Sequence, residues 1–156
     1  MKLKNFIITF VSAIALLLST ANVSFAKVVG DKIILGAAVS LTGKYSSNGV
    51  HTQNGYNMAV ERINSMGGIK VGGKTYKFDI IYYDDESNPK RAAQLAERLI
   101  SQDGVEFMLG PYSSGLTKAM APVTEKYGVP MVEANGASRS LFTKGCLLYT
   151  SDAADE

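Results

Sequence analysis

Four short apolar runs that alternate with amphipathic stretches constrain the fold of this chain most strongly. The first run, residues 33–39, is apolar at nearly every position, which is typical of a strand buried on both faces of a parallel sheet. The other three runs are residues 78–83, 105–109 and 129–132. The stretches between them are long enough for helices that cross over a sheet. This alternation predicts an α/β fold built on a doubly wound parallel sheet.

Three helices are predicted between these strands. The first covers residues 51–66 and ends at a glycine pair, and the second begins at Asn88 with Pro89 in its first position. Apolar residues at helical spacing predict the buried faces, which are Tyr56, Ala59, Val60 and Ile63 in the first helix, Ala92, Leu95, Ala96 and Leu99 in the second, and Leu116, Ala119, Met120, Val123 and Tyr127 in the third. The strand order that we expect is flavodoxin-like, with the first and third strands as neighbours.

Residues 110–116 form a polar hinge between the third strand and the third helix. The hinge contains two glycines, a proline and two hydroxyl side chains, Ser113 and Ser114. Either serine can cap the free N–H groups at the helix start. The same N–H groups, with a serine hydroxyl beside them, can instead hold a carboxylate or another anion. The hinge alone leaves capping and anion binding as alternatives.

Two further polar loops follow the first and fourth strands. Carboxyl-end loops of neighbouring parallel strands border one crevice, where α/β proteins bind their ligands. In the expected strand order, residues 42–48, 112–115 and 135–138 converge there, which favours a binding role over simple capping. Asp84, Asp85 and Glu86 end the second strand, and we interpret them as strand-ending residues rather than a metal or acid–base site, because no histidine or further carboxylate cluster joins them.

Both ends of the chain are interpreted as lying outside the fold. Residues 1–26 have the pattern of a signal peptide, with Lys2 and Lys4, an apolar core and cleavage after Ala26. No cysteine stands at that cut, so we expect an exported protein that is not a lipoprotein. Residues 146–156 resemble the translation of a sequencing adapter, and the alternative is a natural acidic tail. Residues 27–145 are then the native domain.

Composition argues against several functions. The formal net charge is only +2, with 16 basic and 14 acidic residues and no basic cluster, so a nucleic-acid partner has no support. The single histidine, His51, argues against a histidine-based metal site, and the single cysteine lies in the suspected tail. No cofactor or metal is expected.

Residues 33–144 resemble the N-terminal lobe of a type I periplasmic binding protein, in the branched-chain amino-acid (leucine-binding) family of ABC importers. The resemblance rests on the order and spacing of short motifs, which are residues 41–43, 63–69, 84 with 88–89, 110–114 and 128–130. It implies that a ligand carboxylate and ammonium are held between two lobes, and that this chain lacks the second lobe and leaves an apolar sheet edge unpaired.

The resemblance also implies the binding residues. Ser114 matches the carboxylate-binding serine beside Ser113, Tyr112 lines the pocket, and Asn48 is in the first-loop contact position. The chain departs from the family at Ala137, where amino-acid binders usually carry threonine. The neighbouring residues Asn135 and Ser138 are candidates to replace that contact.

The expected function is therefore non-enzymatic. The chain is expected to be the periplasmic substrate-binding component of an ABC importer, with an amino acid as ligand and membrane permease subunits as partners. The ligand alternatives are an amide, urea or an aromatic acid, and a receptor ectodomain would use the same fold. An exported serine hydrolase would need Ser113 or Ser114 as nucleophile and His51 as base, but the hinge is not Gly-x-Ser-x-Gly.

Overall fold

A computed structural model describes residues 27–133, 135–142 and 149–151 of the chain. The suspected signal peptide and most of the suspected tail lie outside these residues. The strands are β1 (Val28–Val29), β2 (Lys32–Val39), β3 (Ile69–Val71), β4 (Lys74–Asp84), β5 (Met108–Leu109), β6 (Met131–Glu133) and β7 (Tyr149–Ser151). The helices are α1 (Ser46–Ser65), α2 (Pro89–Ser101), α3 (Ser114–Tyr127) and α4 (Arg139–Phe142). Within the described ranges, no helix is long and apolar enough to span a membrane.

The sheet has the predicted order. Its strands run β3-β4-β2-β5-β6-β7, and all neighbours from β4 to β7 are parallel. The antiparallel pairs are β1 with β2 and β3 with β4. The first and third predicted strands, now β2 and β5, are neighbours. The α/β class and the flavodoxin-like order are confirmed.

Several element boundaries differ from the predicted ones. Helix α1 begins at Ser46 rather than at residue 51, because the polar loop before it already turns helically, with Gly49 N donating to Tyr45 O at 2.8 Å. Strand β4 continues without a break from the β3 hairpin into the parallel sheet. Strand β5 contains only Met108 and Leu109.

One sheet face is covered by α2 and α3, which pack together over a core that includes Leu99, Met108 and Met120. The predicted face of α2 is confirmed, since all four of its residues are buried. The start of α2 is also as predicted, with Asn88 Oδ1 accepting from Lys90 N at 2.9 Å and from Arg91 N at 3.2 Å.

Removing this cap should destabilise the protein. We expect Asn88→Ala to lower the free energy of unfolding by about 1 kcal/mol, because two first-turn N–H groups lose their acceptor. Asn54→Ala, at an exposed position within α1, is the matched control and should be neutral or slightly stabilising, since alanine is the better helix former. Urea unfolding of both variants measures the difference, and equal effects would contradict the capping role.

The predicted buried face of α3 is wrong in part. Leu116 and Met120 are buried, but Ala119 and Val123 are half-buried and Tyr127 is exposed. Thr117, Ala121 and Thr124 are buried instead. The two threonines can be buried because each hydroxyl has a carbonyl acceptor one turn back, Ser113 O for Thr117 and Ala121 O for Thr124, both at 3.0 Å.

The other sheet face is covered by α1 only in part. The predicted buried face of α1 is wrong, since Ala59 is exposed and Tyr56, Val60 and Ile63 are only half-buried. These residues and the sheet line an apolar groove of about 520 Å³. Phe107 and Val132 in this groove are 42% and 55% exposed. The periodicity identified an apolar stripe, but the described residues provide nothing that covers it.

The expectation of an unpaired sheet edge beyond the fourth predicted strand is also wrong. Residues 149–151, inside the suspected tail, form β7 and pair in parallel with β6. The free backbone N–H and C=O groups of an edge strand accept an extended segment whatever its origin.

Candidate functional site

A pocket of about 390 Å³ lies where the carboxyl ends of β2, β5 and β6 meet. Its lining residues are Asn48, His51, Thr52, Gly55, Tyr56, Tyr112 and Asn135. Three of the predicted site residues are thus brought together from separate parts of the chain. Asn48 lies in the first turn of α1, and Tyr112 and Asn135 lie in the loops after β5 and β6. Ser113, Ser114, Ala137 and Ser138 are not in the lining. Thr52, Gly55 and Tyr56 were missed by the sequence analysis, because they lie on a helix that was expected to serve only the core.

Direct contacts join the third loop to α1 and the first loop to the second. Asn135 Nδ2 donates to Thr52 Oγ1 at 3.3 Å, and Thr52 Oγ1 donates to Asn48 O at 3.0 Å. The Tyr45 and Tyr112 rings meet edge to face with centroids 5.6 Å apart. The pocket therefore offers amide groups, hydroxyl groups and aromatic edges to a small ligand.

Acidic residues after β4 hold the first loop. Asp84 Oδ1 accepts from Leu41 N at 2.9 Å, and its Oδ2 accepts from Thr42 Oγ1 at 2.7 Å. Asp85 is fully buried and accepts from Ser40 Oγ at 2.6 Å and from Ser87 N at 2.7 Å. These bonds support the interpretation of the carboxylates as strand-ending residues. Within the described residues, no three His, Cys, Asp or Glu side chains are grouped to hold a metal.

The second loop has an unusual backbone at Ser113. This residue is the N-cap of α3 with φ 82° and ψ 140°, and its side chain makes no capping bond. Capping by the Ser113 side chain, the alternative to anion binding at this hinge, is therefore contradicted. Ser113 Oγ is buried and has no hydrogen-bond partner among the residues that the structure describes. Positive φ at a residue other than glycine is strained and occurs most often at functional sites.

Ser114 connects the second and third loops. Its Oγ accepts from Ser138 N at 3.1 Å, so its own O–H remains available to donate. The first N–H groups of α3 lack partners within the helix, as at every helix start. An anion at this point would meet a hydroxyl donor and the positive end of the helix dipole together.

Two buried groups shape the electrostatics below the pocket. Burial raises the pKa of Glu133, although the Thr117 hydroxyl and the N–H groups of residues 135 and 136 partly oppose that shift. Burial, with a smaller effect of Glu133, raises the pKa of Tyr56, whose hydroxyl donates to Gly110 O at 2.7 Å. Tyr56 is therefore neutral at physiological pH and acts as a hydrogen-bond donor.

The geometry of the serines does not match a hydrolase. Ser113 Oγ has no partner, and the bond of Ser114 Oγ is to a backbone N–H. A nucleophilic serine needs a base within hydrogen-bond distance, and neither hydroxyl is bonded to His51 in the described part of the chain.

Comparisons with known proteins identify the family of this chain. A family model described as periplasmic binding protein matches residues 32–155. The Leu/Ile/Val-binding protein BraC3 of Rhizobium johnstonii is 31% identical over 125 residues, which are 80% of this chain and 33% of that protein. The chain therefore spans about a third of the length of the curated relatives that it matches.

Solved structures show the same fold. The branched-chain amino acid transporter substrate binding protein LivJ from Streptococcus pneumoniae, in complex with isoleucine, superimposes with a TM-score of 0.69 at 30% identity, over 77% of this chain and 33% of LivJ. A solute binding protein of an ABC transporter from R. palustris, in complex with 4-hydroxybenzoate, has a TM-score of 0.62 at 29% identity, over 78% of this chain and 31% of its own.

Proposed function

We propose, from the premise that this chain belongs to the periplasmic binding protein family, that it forms one lobe of the substrate-binding component of an ABC importer. The protein would be exported through cleavage after Ala26, and it would deliver its ligand from the periplasm to permease subunits in the membrane. Residues 27–145 would form the first lobe, and residues 146–156 a non-native tail. Nothing in this role requires a cofactor, a metal or catalysis.

The observation that carries the proposal is the half-site at the carboxyl ends of β2, β5 and β6. One wall of the site is the pocket with Asn48, Tyr112 and Asn135. Beside it lies the start of α3, where the Ser114 hydroxyl keeps its proton for an acceptor. Such a site is open on one side, and hinge closure of a second lobe would complete it.

The preferred ligand is an amino acid of the branched-chain type. Relatives with this fold carry leucine, isoleucine or valine in their names or were solved with isoleucine. The carboxylate of such a ligand suits the start of α3, with Ser113 and Ser114 beside it. Ala137 has no hydroxyl where amino-acid binders usually carry a threonine. The nearby residues Asn135 and Ser138 are proposed to supply that hydrogen bond.

An aromatic acid is the second candidate, and the tyrosines favour it. Tyr56 and Tyr112 both line the pocket, and Tyr45 packs against the Tyr112 ring. One neighbour of the same fold was solved with 4-hydroxybenzoate. A benzoate shares the carboxylate of an amino acid and would meet aromatic edges on this wall.

The proposal is tested by calorimetric titration of the full product of the reading frame that encodes this chain. The probes are L-leucine, L-isoleucine, L-valine, benzoate and 4-hydroxybenzoate, with acetamide and urea for the amide alternative. Saturable binding of one class supports the proposal and selects the ligand. Absence of binding by all seven compounds, in a protein that unfolds cooperatively, would contradict it. A membrane-spanning segment encoded downstream would favour the receptor ectodomain.

Ser114→Ala should make the free energy of binding of the probe less favourable by about 1.5–3 kcal/mol, the usual contribution of a hydrogen bond to a charged group. The reason is that the variant removes the donor beside the helix start. Ser101→Ala, at the exposed end of α2, is the matched control and should leave the dissociation constant unchanged. Equal affinities of wild type and Ser114→Ala would exclude Ser114 as the carboxylate donor.

A further inference from the structure

Glu133 is a buried acid that contacts both the third site loop and the start of α3. It is the last residue of β6, and only 1% of its surface is exposed. Its Oε1 accepts from Asn135 N at 2.6 Å, and its Oε2 lies 2.7 Å from Thr117 Oγ1. One carboxyl group thus contacts both the third loop and the first turn of α3.

The Thr117 hydroxyl has more acceptors than protons. Its Oγ1 lies 3.0 Å from Ser113 O and 2.7 Å from Glu133 Oε2, yet a hydroxyl carries a single proton. If Glu133 is ionised, the two acceptors share that one proton. If Glu133 is protonated, it donates to Thr117, which then donates to Ser113 O, and each contact is a full hydrogen bond. Burial supports this state, since it raises the pKa of Glu133.

Two glycines provide the space that this side chain occupies. A Cβ atom at Gly110 would lie 2.1 Å from Glu133 Oε2, and one at Gly136 would lie 2.9 Å from Glu133 Cγ. Both glycines belong to the site loops. The carboxyl group is therefore enclosed by the loops that it connects, and it cannot turn toward water without moving them.

We propose that Glu133, as a neutral carboxylic acid, is the positioning residue that holds Ser113 in its strained conformation and Asn135 at the pocket. The inference rests on the proposed function, since it concerns the geometry of that same site. Ser113 O accepts from Thr117 N at 3.1 Å as well as from the Thr117 hydroxyl. The strain at Ser113 persists because its surroundings impose it, and Glu133 completes that set of contacts.

Most groups that face Glu133 carry no titratable proton. Thr117 from α3, Gly110 after β5 and the N–H groups of residues 135 and 136 carry no charge. Tyr56 from α1 is titratable, but burial and Glu133 raise its pKa, so it is neutral throughout the acid and neutral range. His51 from α1 also lines the pocket, and a histidine side chain can titrate below about pH 8. A pH effect is therefore assigned to Glu133 only where wild type shows it and Glu133→Gln, which keeps His51, does not.

The test compares Glu133→Gln with Glu133→Leu in the full product, with L-leucine and 4-hydroxybenzoate as probes. The Glu133→Gln side chain keeps an acceptor for Asn135 N and a donor for Thr117, so this variant should bind the better probe with an affinity within about threefold of wild type. Glu133→Leu leaves buried polar groups without partners, so this variant should bind the same probe about tenfold more weakly or worse. Equal losses in the two variants would overturn the inference.

A second pair of variants covers the case in which Glu133→Leu does not fold. Thr117→Val removes the hydroxyl between Glu133 and Ser113 and should weaken the same probe by about tenfold. Thr124→Val removes a buried hydroxyl two turns further along α3 that donates to Ala121 O, and it should leave affinity unchanged. Equal effects of these two variants on binding would contradict the proposal.

The protonation state has its own readout, which does not depend on any ligand. The ¹³C shift of the Glu133 carboxyl carbon should titrate above the ordinary value of 4.5. Because the folded pKa is raised, the stabilisation is complete below the unfolded pKa and is lost as pH rises through the folded pKa. The urea midpoint of wild type should therefore fall relative to that of Glu133→Gln as pH rises. Titration at or below 4.5 would overturn the inference even if no probe binds, whereas absence of binding with the raised titration would overturn only the proposed function.

Discussion

Gly49→Ala is expected to lower the free energy of unfolding by about 3 kcal/mol, the upper end of the usual cost of overpacking. A Cβ atom at Gly49 would lie 1.9 Å from Ser40 O and 2.6 Å from the Ser40 carbonyl carbon. Both clashes are with backbone, so no side chain can rotate away. Either α1 or the end of β2 has to move.

The same substitution elsewhere in α1 provides the matched control. A Cβ atom at Gly55 would have nothing within 4 Å, and alanine is favoured over glycine in a helix by about 1 kcal/mol. Gly55→Ala should therefore stabilise the protein while Gly49→Ala destabilises it. Urea unfolding of the two variants measures the effects, and effects of the same sign would show that α1 does not approach β2 as described.

Gly49→Ala should also weaken ligand binding. Asn48 and Thr52 lie on the turn of α1 that the clash displaces, and both line the pocket. Gly55 also lines the pocket, so Gly55→Ala cannot serve as the control for this effect. The control is wild type in enough urea to lower its stability to that of Gly49→Ala. A variant that folds but binds with wild-type affinity would place the ligand away from α1.

The second large effect is expected for Asp85→Ala, at about 3 kcal/mol. Asp85 is fully buried, and alanine would leave the buried Ser40 hydroxyl and Ser87 N–H without an acceptor. Each unsatisfied buried group costs about 1–3 kcal/mol. The net loss is smaller than the sum of two such costs, because burial also disfavours the Asp85 carboxylate and raises its pKa.

Asp79→Ala is the control for Asp85→Ala. Asp79 pairs with Lys32 at 2.9 Å, but both side chains are about half exposed, and exposed ion pairs contribute about 1 kcal/mol or less. Thermal or urea unfolding of the two variants should differ clearly. Similar losses would mean that Asp85 does not anchor the first loop from a buried position.

The sequence predicted the structure correctly wherever residues close together in the chain determine it. The apolar run at residues 33–39 became β2, and all four predicted residues of the α2 face are buried. Asn88 followed by Pro89 placed the start of α2 correctly, because a cap is formed by residues adjacent in the chain. The flavodoxin-like strand order, which we expected for this alternation of strands and helices, is also the observed one.

The sequence was a weaker guide wherever a contact joins distant residues. The faces of α1 and α3 were misjudged, because whether an apolar or a threonine side chain is buried depends on what lies opposite. Thr124 could be buried since its hydroxyl is satisfied within the helix. Ala59 stayed exposed because the described residues bring no element over that part of α1.

The same division applies to the site. By itself, the sequence determined the α/β fold and the polar loops at the carboxyl ends, because strand periodicity and turn residues are local features. Within those loops, Asn48, Tyr112 and Asn135 were named through the resemblance to the family. Only the tertiary structure decided that Thr52 and Tyr56 line the pocket and that Glu133 lies beneath it. Those roles depend on contacts such as the one between Asn135 and Thr52, which are 83 residues apart in the chain, and no local pattern encodes such a contact.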